Sequence, residues 1–164
     1  MVHRVPTVGT YVVGMSELLP NVEVLSSVTD ADASDVAHLL GQLSKTATFD
    51  QDRLSAIVAH DATELLVVRV GGRIVGAATF VTFPLPSGVR GHVEDVVVDE
   101  TMRGNGIARA LLVRMTEMAT DRGLRTLDLT SRPSRESALR LYESVGFVRR
   151  ETNALRFTPP PVAR

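Results

Sequence analysis

A glycine-containing segment in the second half of the chain has the composition of a backbone loop that binds an anion. The segment is Arg103, Gly104, Asn105, Gly106, Ile107 and Ala108. It follows a valine-rich run and leads into a helical pattern, so free N–H groups and the positive end of the helix dipole point outward together. Glycine lets a bulky anion approach the backbone closely. We therefore predict a pyrophosphate-binding loop, with a simple tight turn as the alternative.

Two other phosphate-binding motifs do not fit this segment. No Gly-Lys-Ser/Thr sequence follows the loop, which excludes a Walker loop. Counted from Gly104 and Gly106, the third glycine of a dinucleotide fingerprint is replaced by Arg109. The loop therefore belongs to neither of these two nucleotide-binding motifs.

Two neighbouring carboxylates and a histidine, in the strand before this loop, are of types that can move protons. Glu94 and Asp95 interrupt a run rich in valine, and carboxylates are costly to bury unless they are paired. Strand alternation puts these two side chains on opposite faces unless a bulge intervenes. His92 shares the face of Glu94. The alternative for each residue is a charge on an edge strand that faces solvent.

The segments that must position these residues begin with a strand and two helices. Residues 22–28 have a strand pattern. Asp30 or Asp32 can cap a helix whose apolar residues lie at helical spacing. Those apolar residues are Val36, Leu39, Leu40 and Leu43. A second helix is predicted over 51–60.

Three further strands come next. Residues 64–70 and 73–82 are joined by Gly71-Gly72, which is a strong hairpin signal. The chain is then broken by three residues, Pro84, Pro86 and Gly88. Another strand is predicted over 89–98, which ends just before the glycine loop.

The rest of the chain alternates helices and strands. The helix after the glycine loop has an apolar face formed by Ile107, Leu111, Met115 and Met118. Gly123 ends this helix, and a strand is predicted over 124–130. A second helix over 134–145 ends at Gly146. Two short final strands are predicted, over 147–150 and 154–157. The order is mixed α/β with a β-α-β crossover.

Length and composition limit the classes of protein and partner. The 164 residues fit one domain, and a hydrophobic share of 44% is typical of a globular chain. The absence of cysteine excludes a disulfide framework, a thiolate metal site and a cysteine nucleophile. A net charge of -1 gives no reason to expect nucleic acid or an anionic membrane as partner. No apolar run approaches the ~20 residues of a membrane span.

The first residues are interpreted as an extension and not as a signal peptide. Pro6, Thr7 and Thr10 interrupt its mildly apolar stretch, and no small-residue cleavage site follows. A cytoplasmic location is therefore expected. The apolar residues 8–13 need a surface to cover them, and an edge strand ending at Phe157 invites pairing. Together they favour a homodimer.

Two separated stretches resemble the signatures of the GNAT superfamily of N-acetyltransferases. The first joins residues 91–99 to the glycine loop, where Arg103, Gly106 and Ala108 match the pattern Arg/Gln-x-x-Gly-x-Gly/Ala. The second is the run Ala-Leu-Arg-Leu-Tyr-Glu-Ser-Val-Gly-Phe over 138–147. Both occur at the right separation, and the upstream order of elements also fits. Chance is a poor explanation for the pair.

The resemblance implies a particular fold and domain organisation. We expect an α/β GNAT fold with a mixed central sheet of six to seven strands, splayed at the acetyl-CoA site and flanked by about four helices. The acetyltransferase domain is expected over 20–158. An N-terminal extension covers 1–19, and a proline-rich tail covers 159–164.

The resemblance also implies acetyl-CoA as the co-substrate and no metal. The pantetheine arm would pair with the backbone of Val96, Val97 and Val98 like an added strand. The pyrophosphate would lie on the glycine loop. Tyr142 matches the family tyrosine that protonates the departing thiolate, since a phenol with a pKa near ~10 is protonated at neutral pH. A tyrosine packed in the core is the alternative.

Within this superfamily, the match is closer to the glucosamine-6-phosphate N-acetyltransferases. Residues 92–98 resemble their His-Ile-Glu-Asp segment, and Leu-Arg-Phe over 155–157 resembles their last strand, whose arginine meets the sugar phosphate. Thr130 stands where those enzymes have an aspartate beside the amine, and Arg135 replaces their asparagine. The predicted substrate contacts are Asp95, Thr130, Arg132 and Arg156.

We therefore expect an N-acetyltransferase that moves an acetyl group directly to a primary amine. Tyr142 is the general acid, Glu94 is the candidate base acting through water, and His92 is the second candidate base. Several arginines late in the sequence favour a small anionic amine as the acceptor. They are Arg132, Arg135, Arg149, Arg150 and Arg156. The alternatives are a CoA-binding sensor or structural module without catalysis, another acyl donor, or a protein amine as the acceptor.

Overall fold

The structure is a computed structural model that describes residues 19–160. Its strands are β1 (Val22–Val24), β2 (Thr63–Val70), β3 (Arg73–Leu85), β4 (Gly88–Val98) and β5 (Thr126–Leu129). Its helices are α1 (Asp30–Leu43), α2 (Gln51–Val58), α3 (Ile107–Asp121) and α4 (Glu136–Val145), with a short 3-10 helix over Glu100–Met102. Residues 1–18 of the predicted extension, including 8–13, and residues 161–164 of the predicted tail lie outside the described part.

One mixed sheet has the strand order β1-β2-β3-β4-β5. Neighbouring strands are antiparallel from β1 to β4, and β5 is parallel to β4. Such a parallel pair needs a crossover, which α3 supplies. Gly71 and Gly72, between β2 and β3, have φ values of 57° and 79°, the positive values that a tight two-residue hairpin loop requires. The predicted hairpin and β-α-β crossover are confirmed.

The prediction of a chain break around Pro84 is wrong. β3 continues through Pro84 to its end and forms a second hairpin with β4, where Pro84 lies opposite Val89. The Val89 carbonyl accepts a hydrogen bond from the N–H of Arg125, on the far side of β4, so the polar groups of Val89 point away from β3. On the other side of β3, β2 pairs no further than Val81. Pro84 therefore occupies a strand position at which no N–H is needed.

Helices cover both faces of the sheet and bury two hydrophobic clusters. α1 and α2 pack on one face, which we call the α1 face, where Leu39 and Val67 are buried. α3 and α4 pack on the opposite face, the α3 face, where Leu111, Leu112 and Met115 are fully buried. The apolar face predicted for the helix after the glycine loop is therefore confirmed.

α1 begins at a capping box that sequence reasoning assigned to the wrong residue. The cap is Thr29 and not Asp30 or Asp32. The Thr29 hydroxyl accepts from the N–H of Asp32 at 3.2 Å, and the Asp32 carboxylate accepts from the N–H of Thr29 at 3.0 Å. An acidic side chain three residues after the cap returns the hydrogen bond in this motif, so Asp32 completes the cap without being it.

Two buried carboxylates tie α1 to the β2–β3 hairpin. Asp32 accepts from Arg69 at 2.6 Å, and Asp35 accepts from Arg73 at 2.8 Å and from the N–H of Ile74 at 2.9 Å. The Arg73 hydrogen bonds are the main reason that the pKa of Asp35 lies below its ordinary value. Burial raises the pKa of Asp32, but hydrogen bonds led by that of Arg69 outweigh it and leave the pKa lowered. These pairs fix α1 against the sheet.

The two final strands predicted over 147–150 and 154–157 are not present in the described structure. Residues 147–160 form no helix or strand, so the sheet has five strands and not six to seven. Leu155 and Phe157 are 94% and 85% exposed, so the end of this segment does not pack on the domain. A strand needs a neighbour for its backbone hydrogen bonds, and these residues pair with none in the described chain.

Candidate active site

A β-bulge bends β4 at the two carboxylates. Thr79 of β3 lies opposite Glu94, and Ala77 lies opposite Val97, so one β3 residue faces two residues of β4. Asp95 lies in the bulge with a φ of 53° and is the non-glycine residue of positive φ within 19–160. A bulge of this kind kinks the strand and turns its side chains. It explains how Glu94 and Val97, three residues apart, both lie on the α1 face.

Glu94 and Asp95 are both exposed, but they have different neighbours. Glu94 lies beside His92, with 3.0 Å between Nε2 of His92 and Oε1 of Glu94. The predicted common face of these two residues is confirmed. Asp95 instead lines a small cavity of about 90 Å³ beneath α1 and α2, together with Val97. Asp95 therefore lines a cavity that Glu94 does not line.

The pairing of β4 with β5 ends just before the bulge, and the sheet opens there. The paired residues run from Arg90 with Thr126 to Val93 with Leu129, where β5 ends. The edge of β4 from Glu94 to Val98 is consequently not paired with β5. The predicted splay is therefore present, and it lies next to the three valines expected to hold pantetheine, Val96, Val97 and Val98.

The glycine loop lies at the far end of this open edge. Gly104 and Gly106 have φ values of 82° and 75°, and α3 starts after Gly106 with no side-chain cap. The first backbone bond of α3 joins the Ala110 N–H to the Gly106 carbonyl at 2.9 Å, so the N–H groups before Ala110 are those that a helix start leaves unbonded. The Asn105 amide donates to the Met102 carbonyl at 3.0 Å and braces the loop from within. This geometry can bind an anion.

Asp99 fixes the entry to the loop and joins it to α1. One carboxylate oxygen accepts from the N–H of Thr101 at 2.9 Å, and the other accepts from Gln42 of α1 at 3.2 Å. His38 of α1 lies 3.0 Å from the second oxygen. Hydrogen bonds from Thr101, above all, lower the pKa of Asp99 to about 2. The carboxylate is therefore ionised at neutral pH and holds the turn before the loop.

A cleft of about 850 Å³ runs along the outer edge of β5 and brings three predicted residues together. His92, Thr130 and Tyr142 all line it. Tyr142 is half-buried at the margin of the α3-face cluster, with its ring edge-on to Phe147 at 6.3 Å between centroids. Burial raises the pKa of the Tyr142 phenol, and Arg135 opposes that shift. The phenol is therefore protonated at neutral pH.

The predicted substrate arginines are distributed unevenly. Arg132 and Arg156 are exposed, and neither lines the cleft or the small cavity. Arg149 and Arg150 do line the cleft, where each pairs with a carboxylate. The pairs are Arg149 with Glu143 at 2.5 Å and Arg150 with Asp128 at 3.3 Å. The roles of Arg132 and Arg156 stay predictions.

Sequence reasoning missed Asp128 as a residue of the cleft. Asp128 lies on β5 directly across from His92, and its carboxylate accepts from the Thr126 hydroxyl at 2.9 Å. The available signal was its place between Leu127 and Leu129, because alternation makes the middle residue face away from the core. An acidic group therefore lies on the β5 side of the cleft, opposite the His92–Glu94 pair.

Two kinds of feature are missing from residues 19–160. No group of three or more His, Cys, Asp or Glu side chains there is arranged to hold a metal ion. No helix over the same residues has the length and apolar character of a membrane span.

Fold and site together define a class of enzyme. A mixed sheet that opens after one parallel strand pair, with an uncapped helix start at the opening, matches the splayed sheet expected of an N-acetyltransferase. The particular family follows from comparison with known proteins. The profile of the Acetyltransferase (GNAT) family matches residues 31–147. The chain belongs to this family and is an acetyltransferase.

Relatives and solved structures similar to this chain include proteins named glucosamine 6-phosphate N-acetyltransferase. A relative from Trypanosoma brucei brucei, named glucosamine 6-phosphate N-acetyltransferase, is 33% identical over 131 residues, which are 75% of this chain and 87% of the relative. The crystal structure of an acetyltransferase from Trypanosoma brucei has a TM-score of 0.71 at 28% identity, over 85% of this chain and 99% of that one. That of glucosamine-6-phosphate N-acetyltransferase from Arabidopsis thaliana has a TM-score of 0.67 at 20% identity, over 85% and 99%, and shows the fold alone.

Proposed function

We propose that this chain transfers the acetyl group of acetyl-CoA directly to a primary amine of a small molecule. The open edge of β4 carries the proposal, because the pairing of β4 with β5 ends at Val93 and leaves backbone groups from Glu94 to Val98 available. In the reaction, the bond from carbonyl carbon to sulfur breaks and a bond to nitrogen forms. The amine gives up a proton, and the thiolate gains one. The site must therefore hold the thioester, accept one proton and donate another.

The open edge and the glycine loop suit the two ends of acetyl-CoA. The backbone of Val96, Val97 and Val98 offers strand-type hydrogen bonds to the two amides of pantetheine. Arg103 and the N–H groups of Gly104 to Ala108 offer an anion site for the pyrophosphate. Acetyl-CoA, when bound, supplies the thioester at the opening. No metal is needed for this chemistry, and the acetyltransferase domain is proposed over 20–158.

Tyr142 is proposed as the general acid. It lines the cleft and is half-buried, and burial keeps its phenol protonated at neutral pH. A protonated group with restricted access to water is suited to donate a proton to a departing thiolate. The edge-on packing against Phe147 limits the orientations of the ring.

Glu94 is proposed as the base, with His92 as its partner. The 3.0 Å contact between them gives an amine proton a short route from His92 or water to the carboxylate. Both side chains remain in contact with solvent, at 26% for His92 and 53% for Glu94. Asp128, across from His92, is already paired with Arg150 at 3.3 Å, so it is not proposed as a base.

The proposed acceptor is a small anionic amine. Glucosamine 6-phosphate is the first to test, because relatives at about one third identity carry that name. Thr130, which lines the cleft, is proposed to contact the amine side of the acceptor, and Arg132 and Arg156 its anionic group. Asp95 lines the separate cavity beneath α1 and α2, so its contact with the acceptor stays a prediction. The cytoplasmic location stays a prediction.

The proposed function is tested by mixing the protein with acetyl-CoA and a panel of amines while following the release of free thiol. The panel contains glucosamine 6-phosphate, glucosamine, spermidine, amino acids and short peptides. We expect amine-dependent thiol release, fastest with a small anionic amine. Binding of CoA without thiol release for any amine would instead support a CoA-binding module without catalysis. Release only with peptides would support a protein acceptor.

A further inference from the structure

Gly76 of β3 lies directly beneath the first residue of α3. A Cβ atom built on Gly76 would come closer than 3.0 Å to Cγ2 of Ile107, which is closer than real Cβ atoms approach a neighbour. Gly76 does not have a positive φ, so its backbone conformation is open to any residue. The contact with Ile107, and not the conformation, is therefore what requires a glycine here.

Ile107 has little freedom to move out of the way. It is 3% exposed, and Leu111 and the carbonyl of Val97 lie 3.6 Å from the same Cβ position. A β-branched side chain in a helix keeps one strongly preferred rotamer. The overlap would therefore be relieved by moving the start of α3 away from β3.

The start of α3 is also the end of the glycine loop. Gly106 is the cap residue of α3, and its neighbours in sequence supply the N–H groups proposed to bind pyrophosphate. Gly76 is also opposite Val98, at the end of the open β4 edge. A side chain at position 76 would therefore displace the glycine loop, which is proposed to bind the cofactor, although Gly76 is not part of that loop.

From this contact we infer that Gly76 is a positioning residue for the glycine loop. Its missing side chain lets α3 approach the sheet and sets the distance between the N–H groups of the loop and the β4 edge. Hydrogen bonds from N–H to oxygen need donor–acceptor distances of about 2.7–3.2 Å, so a displacement of roughly 1 Å is enough to lose them. The inference rests on the proposed binding of acetyl-CoA at this loop.

The test measures the Kd for CoA by calorimetry in the unaltered chain and in four full-length variants. Gly76→Ala is expected to raise Kd by about 10-fold or more while far-UV circular dichroism stays that of the folded protein. Gly41→Ala is the matched control, because Gly41 lies in α1 and a Cβ there would meet nothing within 4 Å. It is expected to leave Kd unchanged.

Ile107→Ala and the double variant Gly76→Ala/Ile107→Ala separate positioning from a general loss of stability. Ile107→Ala removes the overlapping methyl group, so adding Gly76→Ala to it should change Kd by less than about 2-fold. A folded Gly76→Ala protein with the Kd of the unaltered chain would overturn the inference and leave the proposed function standing. The inference would also be overturned if the Kd of the double variant were raised over that of Ile107→Ala as much as Gly76→Ala alone raises it, or if the Gly76→Ala chain did not fold. If the unaltered chain does not bind CoA, the proposed function fails as well.

Discussion

Tyr142 gives the sharpest prediction for a single side chain. Tyr142→Phe should lower kcat by ~10- to 1000-fold, because it removes the proposed proton donor and leaves the ring in place. The affinity for acetyl-CoA should change little. Steady-state kinetics and CoA calorimetry on the same preparation measure both quantities. A kcat equal to that of the unaltered protein, with chemistry shown to limit the rate, would leave Tyr142 a packing residue beside Phe147.

Arg156 carries the prediction about acceptor charge. If its guanidinium binds the anionic group of the acceptor, Arg156→Ala should reduce the preference for glucosamine 6-phosphate over glucosamine in kcat/KM. The expected reduction is ~10-fold, since a charge-assisted hydrogen bond is lost. Spermidine should be the poorest of the three amines, because arginine repels a polycation. Spermidine as the best substrate, or an unchanged preference in Arg156→Ala, would contradict this role of Arg156.

Residue types alone identified several candidate site residues, but not their relation to one another. Glu94, His92 and Tyr142 stood out because polar groups interrupted an apolar pattern or matched a signature. The bulge at Asp95 could not be read from alternation, because it depends on how β3 pairs with β4. The place of Asp128 opposite His92 likewise depends on a strand pairing, that of β5 with β4, and not on its own neighbours in sequence.

Among the elements, the start of α3 is expected to be the most sensitive to substitution. Gly106→Val should abolish CoA binding, because valine rarely adopts a φ of 75° and the loop backbone would have to change to accommodate it. That change would move the N–H groups proposed to bind the anion. Gly123→Val is the matched control at the other end of the same helix, where φ is 61° and a Cβ meets nothing within 4 Å. Both variants should lose stability, and only Gly106→Val should lose CoA affinity. Calorimetry with CoA distinguishes them, and equal affinities in the two folded variants would exclude the loop as the anion site.

The attachment of α1 to the sheet gives a prediction about stability. Asp35→Ala should lower the free energy of unfolding by about 1–3 kcal/mol, because it leaves the buried N–H of Ile74 without its acceptor. Glu117→Ala is the control, because Glu117 forms an exposed pair with Arg114 at 3.5 Å. It should cost less than about 1 kcal/mol. Urea unfolding of both variants measures the difference, and equal losses would mean that Asp35 does not anchor α1.

The same carboxylates predict how stability depends on pH. The pKa values of Asp32 and Asp35 are lowered in the folded chain, and that of Asp99 is lowered to about 2 from 3.8. A depressed folded pKa contributes stability above the unfolded value, and this contribution is lost as pH falls through the folded value. The urea concentration at the midpoint of unfolding should therefore decrease as the pH is lowered from about 4 to about 2. Asp35→Asn should flatten that slope, and an unchanged slope would contradict the assignment.

Sequence patterns predicted these elements well where local signals were strong. The Gly71-Gly72 turn and the spacing of Leu111 and Met115 each specify structure within a few residues. The expected final strands failed for the opposite reason, since a strand exists only when another strand supplies its hydrogen bonds. Pro84 was misread because its tolerance depends on the absence of a β2 partner at that position.

For the whole molecule, we propose that two copies of the chain associate through the exposed apolar side chains that follow α4. Leu155 and Phe157, in the segment after α4, are almost fully exposed. Exposed apolar side chains of this kind favour association. Sedimentation at micromolar concentration is expected to show a homodimer. Leu155→Asp should weaken it by about 10-fold or more, and a monomer at all concentrations would contradict the proposal.

Acetyl transfer by this chain is tested most directly by measuring both products of one reaction. Acetyl-CoA carrying a labelled acetyl group is incubated with the best amine of the panel, and free CoA and labelled amide are quantified together. Equal amounts of both products are expected, and their formation should require the amine. Tyr142→Phe should form both products ~10- to 1000-fold more slowly, and Gly106→Val should form neither. A folded chain that binds CoA but forms no labelled amide with any amine would contradict the central claim that this chain is an N-acetyltransferase.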